Sequence, residues 1–167
     1  MILNDREIIF RHIITPIRRE HQNPFGYDLT LGTAFLLPCS QAEPVSVVGG
    51  LPKYTCFSDE IVLPSGSYAL GVSEEYIRVP KEGLGLCGSR SSLVRRGRNV
   101  NITPLEAGWE GQITIEMFNA APYPLKVPSG IRIAQVIFLS GNEPELDYVK
   151  KGGRYQGQVG IIVSKGA

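Results

Sequence analysis

Cysteine, histidine and tryptophan are scarce in this chain of 167 residues, with three, two and one of each. The cysteines, Cys39, Cys56 and Cys87, lie 17 and 31 residues apart, with no C-x-x-C pair. That spacing excludes a disulfide framework and fits a reducing cytoplasm. His12 and His21 are too few for most metal sites, and the H-x-E followed by P-C-x-x-C signature of zinc deaminases is missing. Any chemistry is therefore expected to run without protein-bound zinc. Long hydrophobic runs are also lacking: none approaches the roughly 18 residues of a membrane-spanning helix. The opening Met1-Ile2-Leu3-Asn4-Asp5-Arg6-Glu7 is charged from its first turn and has no apolar targeting core, so a cytoplasmic protein is expected. Excess charge of one sign is missing too. Lys and Arg number 17 against 16 Asp and Glu, a net charge of +1, which disfavours a partner made of nucleic acid polymer.

Glycine (19) and proline (12) are plentiful, and 43% of residues are hydrophobic. The length suits one domain with a substantial core, so residues 1–167 are read as a single unit whose end, from about 150, forms a tail. Asn4 or Asp5 can cap a short helix carrying Ile8, Ile9, His12 and Ile13 at helical spacing, ended by Pro16. Short apolar runs then alternate with Gly and Pro turns. Strands are expected at Asp28–Leu31, Thr33–Leu37, Glu60–Leu63, Tyr68–Val72, Tyr76–Val79, Gln112–Asn119, Leu125–Val127, Ile131–Leu139 and Val159–Val163. Such spacing predicts a mainly β sandwich, jelly roll or barrel. Residues 39–55 read as an irregular surface excursion. Ser91-Ser92-Leu93-Val94-Arg95-Arg96-Gly97 interrupts the β rhythm as one or two helical turns with a serine cap and a glycine stop.

Four segments carry chemistry-bearing residues. In Gly88-Ser89-Arg90-Ser91-Ser92, a glycine, two hydroxyls and a cation at a helix start suit an anion; an ordinary cap with a solvated arginine is the alternative. From Gly111 the chain alternates, placing Gln112, Thr114, Glu116 and Phe118 on one strand face and Ile113, Ile115 and Met117 on the other. Glu116 is then either solvent-exposed or set in a pocket, and Trp109 is a ligand wall or simple packing. In the third segment, Asn23-Pro24-Phe25-Gly26-Tyr27-Asp28-Leu29, Asp28 starts a strand. In the fourth, Gly152-Gly153-Arg154-Tyr155-Gln156-Gly157-Gln158, a cation, an aromatic ring and two amides equip a tail to close over a phosphorylated ligand.

In this order the segments resemble the dUTPase-like superfamily, and within it the dCTP deaminases. Met-Ile-Leu-x-Asp-Arg-Glu-Ile resembles the deaminase start, and Gly26-Tyr27-Asp28-Leu29-Thr30-Leu31-Gly32 its first nucleotide motif. Arg90-Ser91-Ser92-Leu93-Val94-Arg95 is similar to R-S-S-L-x-R. Ala107-Gly108-Trp109-Glu110-Gly111 with Glu116-Met117-Phe118-Asn119 is similar to P-G-W-x-G and E-F-x-N. Gly130-Ile131-Arg132-Ile133-Ala134-Gln135 resembles G-x-R-I-A-Q, and Arg154-Tyr155-Gln156-Gly157-Gln158 the tail that folds over a triphosphate.

The resemblance implies a distorted β-jelly-roll or barrel of the dUTPase-like type, with a short N-terminal and a short internal helix. It implies a homotrimer with shared active sites, and dCTP or dUTP as ligand with Mg²⁺ on its phosphates. Glu116 matches the general base that activates water for attack on cytosine C4, supported by Arg95 and Ser91. Glu106 matches the aspartate that orients water at the α-phosphate in dUTPases, so conversion onward to dUMP and pyrophosphate is a second expectation. Arg90, Ser92, Arg154 and Gln158 are expected to hold the phosphates, and Gln135 and Tyr155 to bind the substrate. Asp28 and Trp109 line the pocket, and Asn101 and Thr103 read the base edge. A dUTPase that ignores dCTP is the rival, and a non-catalytic nucleotide-binding module the third reading.

Overall fold

The computed structural model describes residues 1–46 and 50–165. Its first element is helix α1 (Asp5–Phe10), where the Asn4 side chain accepts from the Glu7 N–H and the Glu7 carboxylate accepts from the Asn4 N–H. This reciprocal cap explains why so short a segment is helical. His12 and Ile13 fall beyond its end, and Ile9 is partly exposed, so the apolar face narrows to Ile8. Strands β1 (Ile14–Thr15) and β2 (Gln22–Asn23) lead to β3 (Gly26–Pro38). Then follow β4 (Tyr54–Ser58), β5 (Glu60–Leu63), β6 (Tyr68–Arg78) and β7 (Gly83–Ser89). Helix α2 (Ser91–Val94) separates these from β8 (Arg98–Asn101), β9 (Glu110–Asn119), β10 (Leu125–Pro128) and β11 (Arg132–Ser140).

The main antiparallel sheet runs β7-β11-β3-β6-β9-β8. Its two ends meet: the Ser89 hydroxyl donates to the Val100 carbonyl (3.0 Å) and accepts from the Val100 N–H (2.9 Å), and Gly85 bridges to Leu105. One hydroxyl thus supplies the hydrogen bonds that a ladder rung would, and the sheet is nearly a closed barrel. Its interior holds Tyr27, Leu29, Phe35, Ile77, Ile115 and Phe138, all almost fully buried. The mainly β expectation holds.

Several element boundaries differ from the sequence reading. The segments Asp28–Leu31 and Thr33–Leu37 belong to one strand, β3, and Tyr68–Val72 and Tyr76–Val79 mostly to β6. Irregular pairing between Leu31 and Phe35 and between Val72 and Tyr76 marks the apparent breaks. Val159–Val163 is not a strand. Gly160 takes a positive φ of 74° there, and the Ile162 N–H turns to the Thr114 hydroxyl instead of a backbone ladder. The excursion at 39–55 ends two residues early, because Tyr54 and Thr55 already pair with Pro38 and Leu37; residues 47–49 of it lie outside the described residues. Arg90, not a serine, occupies the cap position of α2 and makes no side-chain cap bond. The glycine stop is present: Gly97 has φ 84°, and a Cβ there would stand 2.6 Å from Ala121 Cβ.

Candidate active site

The register of β6 against β9 builds the floor of a cavity of about 660 Å³. Leu70 faces Glu116 and Tyr68 faces Phe118 across the ladder. Cross-strand partners share a face, so Tyr68, Leu70, Thr114, Glu116 and Phe118 all line the space. The alternation read from the sequence is observed: Ile113, Ile115 and Met117 are buried on the opposite face while Glu116 is half-buried. A carboxylate is thereby held at the middle of a mostly apolar surface.

Asn101 of β8 lies in register with Glu116. Its amide Nδ2 donates to Glu116 Oε2 at 2.6 Å, which orients one carboxylate oxygen. Thr103 lines the same cavity a few residues further on. Glu106 also lines the cavity, with its carboxylate against Lys151 Nζ at 2.6 Å. Trp109 is 5% exposed, and its ring N–H donates to the Tyr155 carbonyl at 3.0 Å.

The tail is laid along β9 of its own chain. The Gln112 N–H donates to the Gln158 carbonyl, and Gln158 Nε2 donates to the Gln112 carbonyl at 2.6 Å. The Gly160 N–H then reaches Gln112 Oε1 and the Ile162 N–H reaches Thr114 Oγ1. Gly111 permits this approach: at φ 152°, a Cβ would stand 3.0 Å from the Gln158 carbonyl. Tyr155, Gln158, Ile162 and Ser164 consequently form one wall of the cavity.

A second cluster forms around Asp28, which is 5% exposed. Arg90 Nε stands 3.3 Å and Arg132 NH1 3.5 Å from Asp28 Oδ2, and Asn23 Nδ2 donates to Oδ1. Gln135 joins it through the ladder, paired with Asp28 on one side and Gly88 on the other. None of Asp28, Arg90, Ser91, Ser92, Arg95, Gln135 and Arg154 lines the Glu116 cavity. Ser91, Ser92 and Arg95 are exposed on α2 and just after it, and Arg154 is exposed at the tail. The sequence-identified residues thus divide into two sets. Glu116, Glu106, Asn101, Thr103, Trp109, Tyr155 and Gln158 gather at the cavity or on Glu116; the others face elsewhere.

Sequence reasoning missed Tyr54, Tyr68, Tyr148 and Lys151. Tyr54 follows an irregular segment, and nothing in its spacing ties it to Tyr68, yet their hydroxyls lie 3.3 Å apart. Burial, with that hydrogen bond, pushes the Tyr54 hydroxyl well above the ordinary phenol range. Among the described residues no group of three or more His, Cys, Asp or Glu could hold a metal ion, and no helix is long and apolar enough to cross a membrane.

The nearly closed antiparallel barrel is a fold shared with solved dCTP deaminase and dUTPase structures. A dCTP deaminase-like family model matches residues 2–141, and the chain belongs to that family. A dCTP deaminase of Acidobacterium capsulatum is 35% identical over 145 residues, covering 84% of this chain and 79% of that protein. One from Helicobacter pylori is 39% identical over 147 residues, covering 84% and 78%. Among solved structures, the 2′-deoxycytidine 5′-triphosphate deaminase of Agrobacterium tumefaciens matches with a TM-score of 0.66 at 19% identity. It covers 84% of this chain, which spans about half (48%) of that one. The dUTPase of Staphylococcus bacteriophage 80alpha matches with a TM-score of 0.53 at 18% identity, covering 77% and 84%. These two likenesses speak to the fold.

Proposed function

We propose that the protein hydrolyses dCTP to dUTP and ammonia, with Glu116 as general base. The observation that carries this reading is a half-buried carboxylate, oriented by Asn101, at the centre of a cavity sized for a nucleoside. Asn101 occupies Oε2, which leaves Oε1 to accept a proton from water. The resulting hydroxide adds to cytosine C4, and the proton passes through Glu116 to the exocyclic nitrogen. The C4–N bond then breaks, releasing ammonia and leaving the uracil oxygen. Trp109 walls the deoxyribose side, and Thr103 lies where the N3 and O2 edge is read.

The triphosphate enters as its magnesium complex, with the ion held by phosphate oxygens and water. Hard Mg²⁺ takes oxygen ligands and keeps several waters, as a triphosphate complex would supply. Arg90, Ser92, Arg154 and Gln158 are assigned to the phosphates, Gln135 and Tyr155 to substrate binding, and Ser91 and Arg95 to support of the water and Glu116. The division of these residues into two separate sets favours active sites shared between the subunits of a homotrimer, with the whole chain as one domain and the segment from about 150 as its closing tail. A neighbour's α2 then brings Ser91 and Arg95 to Glu116.

A second reading is favoured by Glu106, which lines the same cavity paired with Lys151: subsequent cleavage of dUTP to dUMP and pyrophosphate. Incubation with dCTP and with dUTP in Mg²⁺, followed by chromatography of products, separates the alternatives. Ammonia with dUTP or dUMP from dCTP supports the deaminase. Turnover of dUTP with dCTP untouched overturns it.

A further inference from the structure

The floor that presents Glu116 does not end there. One rung further, about 7 Å along the strand, Phe118 faces Tyr68, with ring centroids 6.2 Å apart. Tyr68 in turn meets Tyr54, hydroxyl to hydroxyl at 3.3 Å, and all three residues line the cavity. This end carries no charge, whereas Lys151 and Lys165 lie at the tail end, by Glu106 and Tyr155. The cations of the tail, Lys151 and Lys165, beside an aromatic end lined by uncharged side chains, favour phosphates toward the tail and the base toward the aromatic end.

A cytosine with C4 at Glu116 presents two unlike flanks. Its N3 and O2 edge needs polar partners, which the Asn101–Thr103 side offers. Its C5–C6 edge is apolar and fits the wall of Leu70, Tyr68 and Phe118. Space and a pair of phenol hydroxyls then remain beside C5. The Tyr54 phenol is protonated at neutral pH, and burial pushes it further up, so it is a donor as well as an acceptor.

We propose that the Tyr54–Tyr68–Phe118 end is a subsite for a substituent at pyrimidine C5, and that the protein accepts 2′-deoxycytidine triphosphates carrying a small hydrogen-bonding group there, such as 5-hydroxymethyl. This rests on the deaminase reading. Hydrolysis is unchanged in its balance: water adds at C4, ammonia leaves, and the 5-substituted deoxyuridine triphosphate is the product. The tyrosine pair holds the substituent and takes no part in the bond changes.

The test compares kcat/KM for 5-hydroxymethyl-dCTP and dCTP in the wild-type protein and in Tyr54→Phe, which removes one oxygen and keeps the ring. The wild-type ratio is expected within tenfold of unity, and the variant is expected to lower it by about tenfold, the effect of one buried hydrogen bond of about 1.4 kcal/mol. A wild-type ratio below one tenth overturns the proposal, as does a ratio that Tyr54→Phe and Tyr68→Phe both leave unmoved. Absence of dCTP turnover contradicts the deaminase reading instead. The same ratio is then taken from equilibrium binding of the two triphosphates: its fall in Tyr54→Phe supports the subsite, and a ratio that does not change overturns it.

Discussion

Asn101 and Glu116 face each other across the β8/β9 ladder, and the amide of one holds the carboxylate of the other at 2.6 Å. A hydrogen bond to a charged group contributes about 1.5–3 kcal/mol. The pair engages Oε2 of Glu116 and leaves Oε1 free of that contact, so for the proposed base Asn101 would be a positioning residue.

Asn101→Ala is therefore expected to lower kcat for ammonia release by roughly tenfold or more. Asn101→Asp places a like charge against Glu116 and is expected to lower it further. The coupled measurement is dCTP binding by Glu116→Gln, with and without Asn101→Ala. A loss confined to kcat supports positioning; an equal loss in binding assigns Asn101 to the substrate alone.

Glu106 and Glu116 line one cavity but hold different partners, Lys151 and Asn101, and their effects should separate. Glu116→Gln is expected to abolish ammonia release from dCTP, by about a hundredfold or more, the scale of a general base. Glu106→Gln should leave deamination largely in place and remove any release of pyrophosphate. Chromatography of both products from each variant reads the split, and a reversed pattern makes the protein a dUTPase.

Much of the fold could be read from the chain, and the reasons are local. Asn4 and Glu7 form a capping box at the spacing that one requires, and β9 announces its buried face by strict alternation from Ile113 to Met117. Val159–Val163 had the composition of a strand, but nothing in it reported that its amides would bond to the side chains of Gln112 and Thr114. The candidate base Glu116 was legible through the resemblance to the dCTP deaminases; the alternation alone left it either exposed or set in a pocket. Tyr54, Tyr68 and Lys151 were not, since their approach to the cavity depends on the β3/β4 register and on the path of the tail. Arg98 was equally silent: a charged residue at a strand start reads as solvated.

The structure places Arg98 at 4% exposure, with none of its three guanidinium nitrogens hydrogen-bonded. Burial pushes it down to about 10. A buried polar group without a partner costs stability. Arg98→Met keeps the stem volume and removes the charge, and is expected to raise the unfolding free energy by about 1 kcal/mol or more, read as a higher urea midpoint. A variant destabilised by that amount implies that the guanidinium is satisfied in the assembled protein.

Glu75 is fully buried. Its carboxylate accepts from the Thr30 N–H (2.8 Å) and hydroxyl (2.7 Å) and lies 3.5 Å from Arg18. Burial outweighs these contacts and pushes it above its ordinary 4.5. The folded form therefore binds its proton more tightly than the unfolded one. This contribution to stability is fully present below about 4.5 and is lost as pH rises through the folded value. Denaturant midpoints across pH 4–8 should fall more in the wild-type protein than in Glu75→Gln. Parallel profiles would place the pH dependence elsewhere.

The attack of water at cytosine C4 is the central claim, and labelled solvent tests it most directly. When dCTP is turned over in H₂¹⁸O, mass spectrometry of the product should locate one ¹⁸O atom on the pyrimidine ring with ammonia released. Label found only on phosphate, with the cytosine amino group retained, would contradict the account.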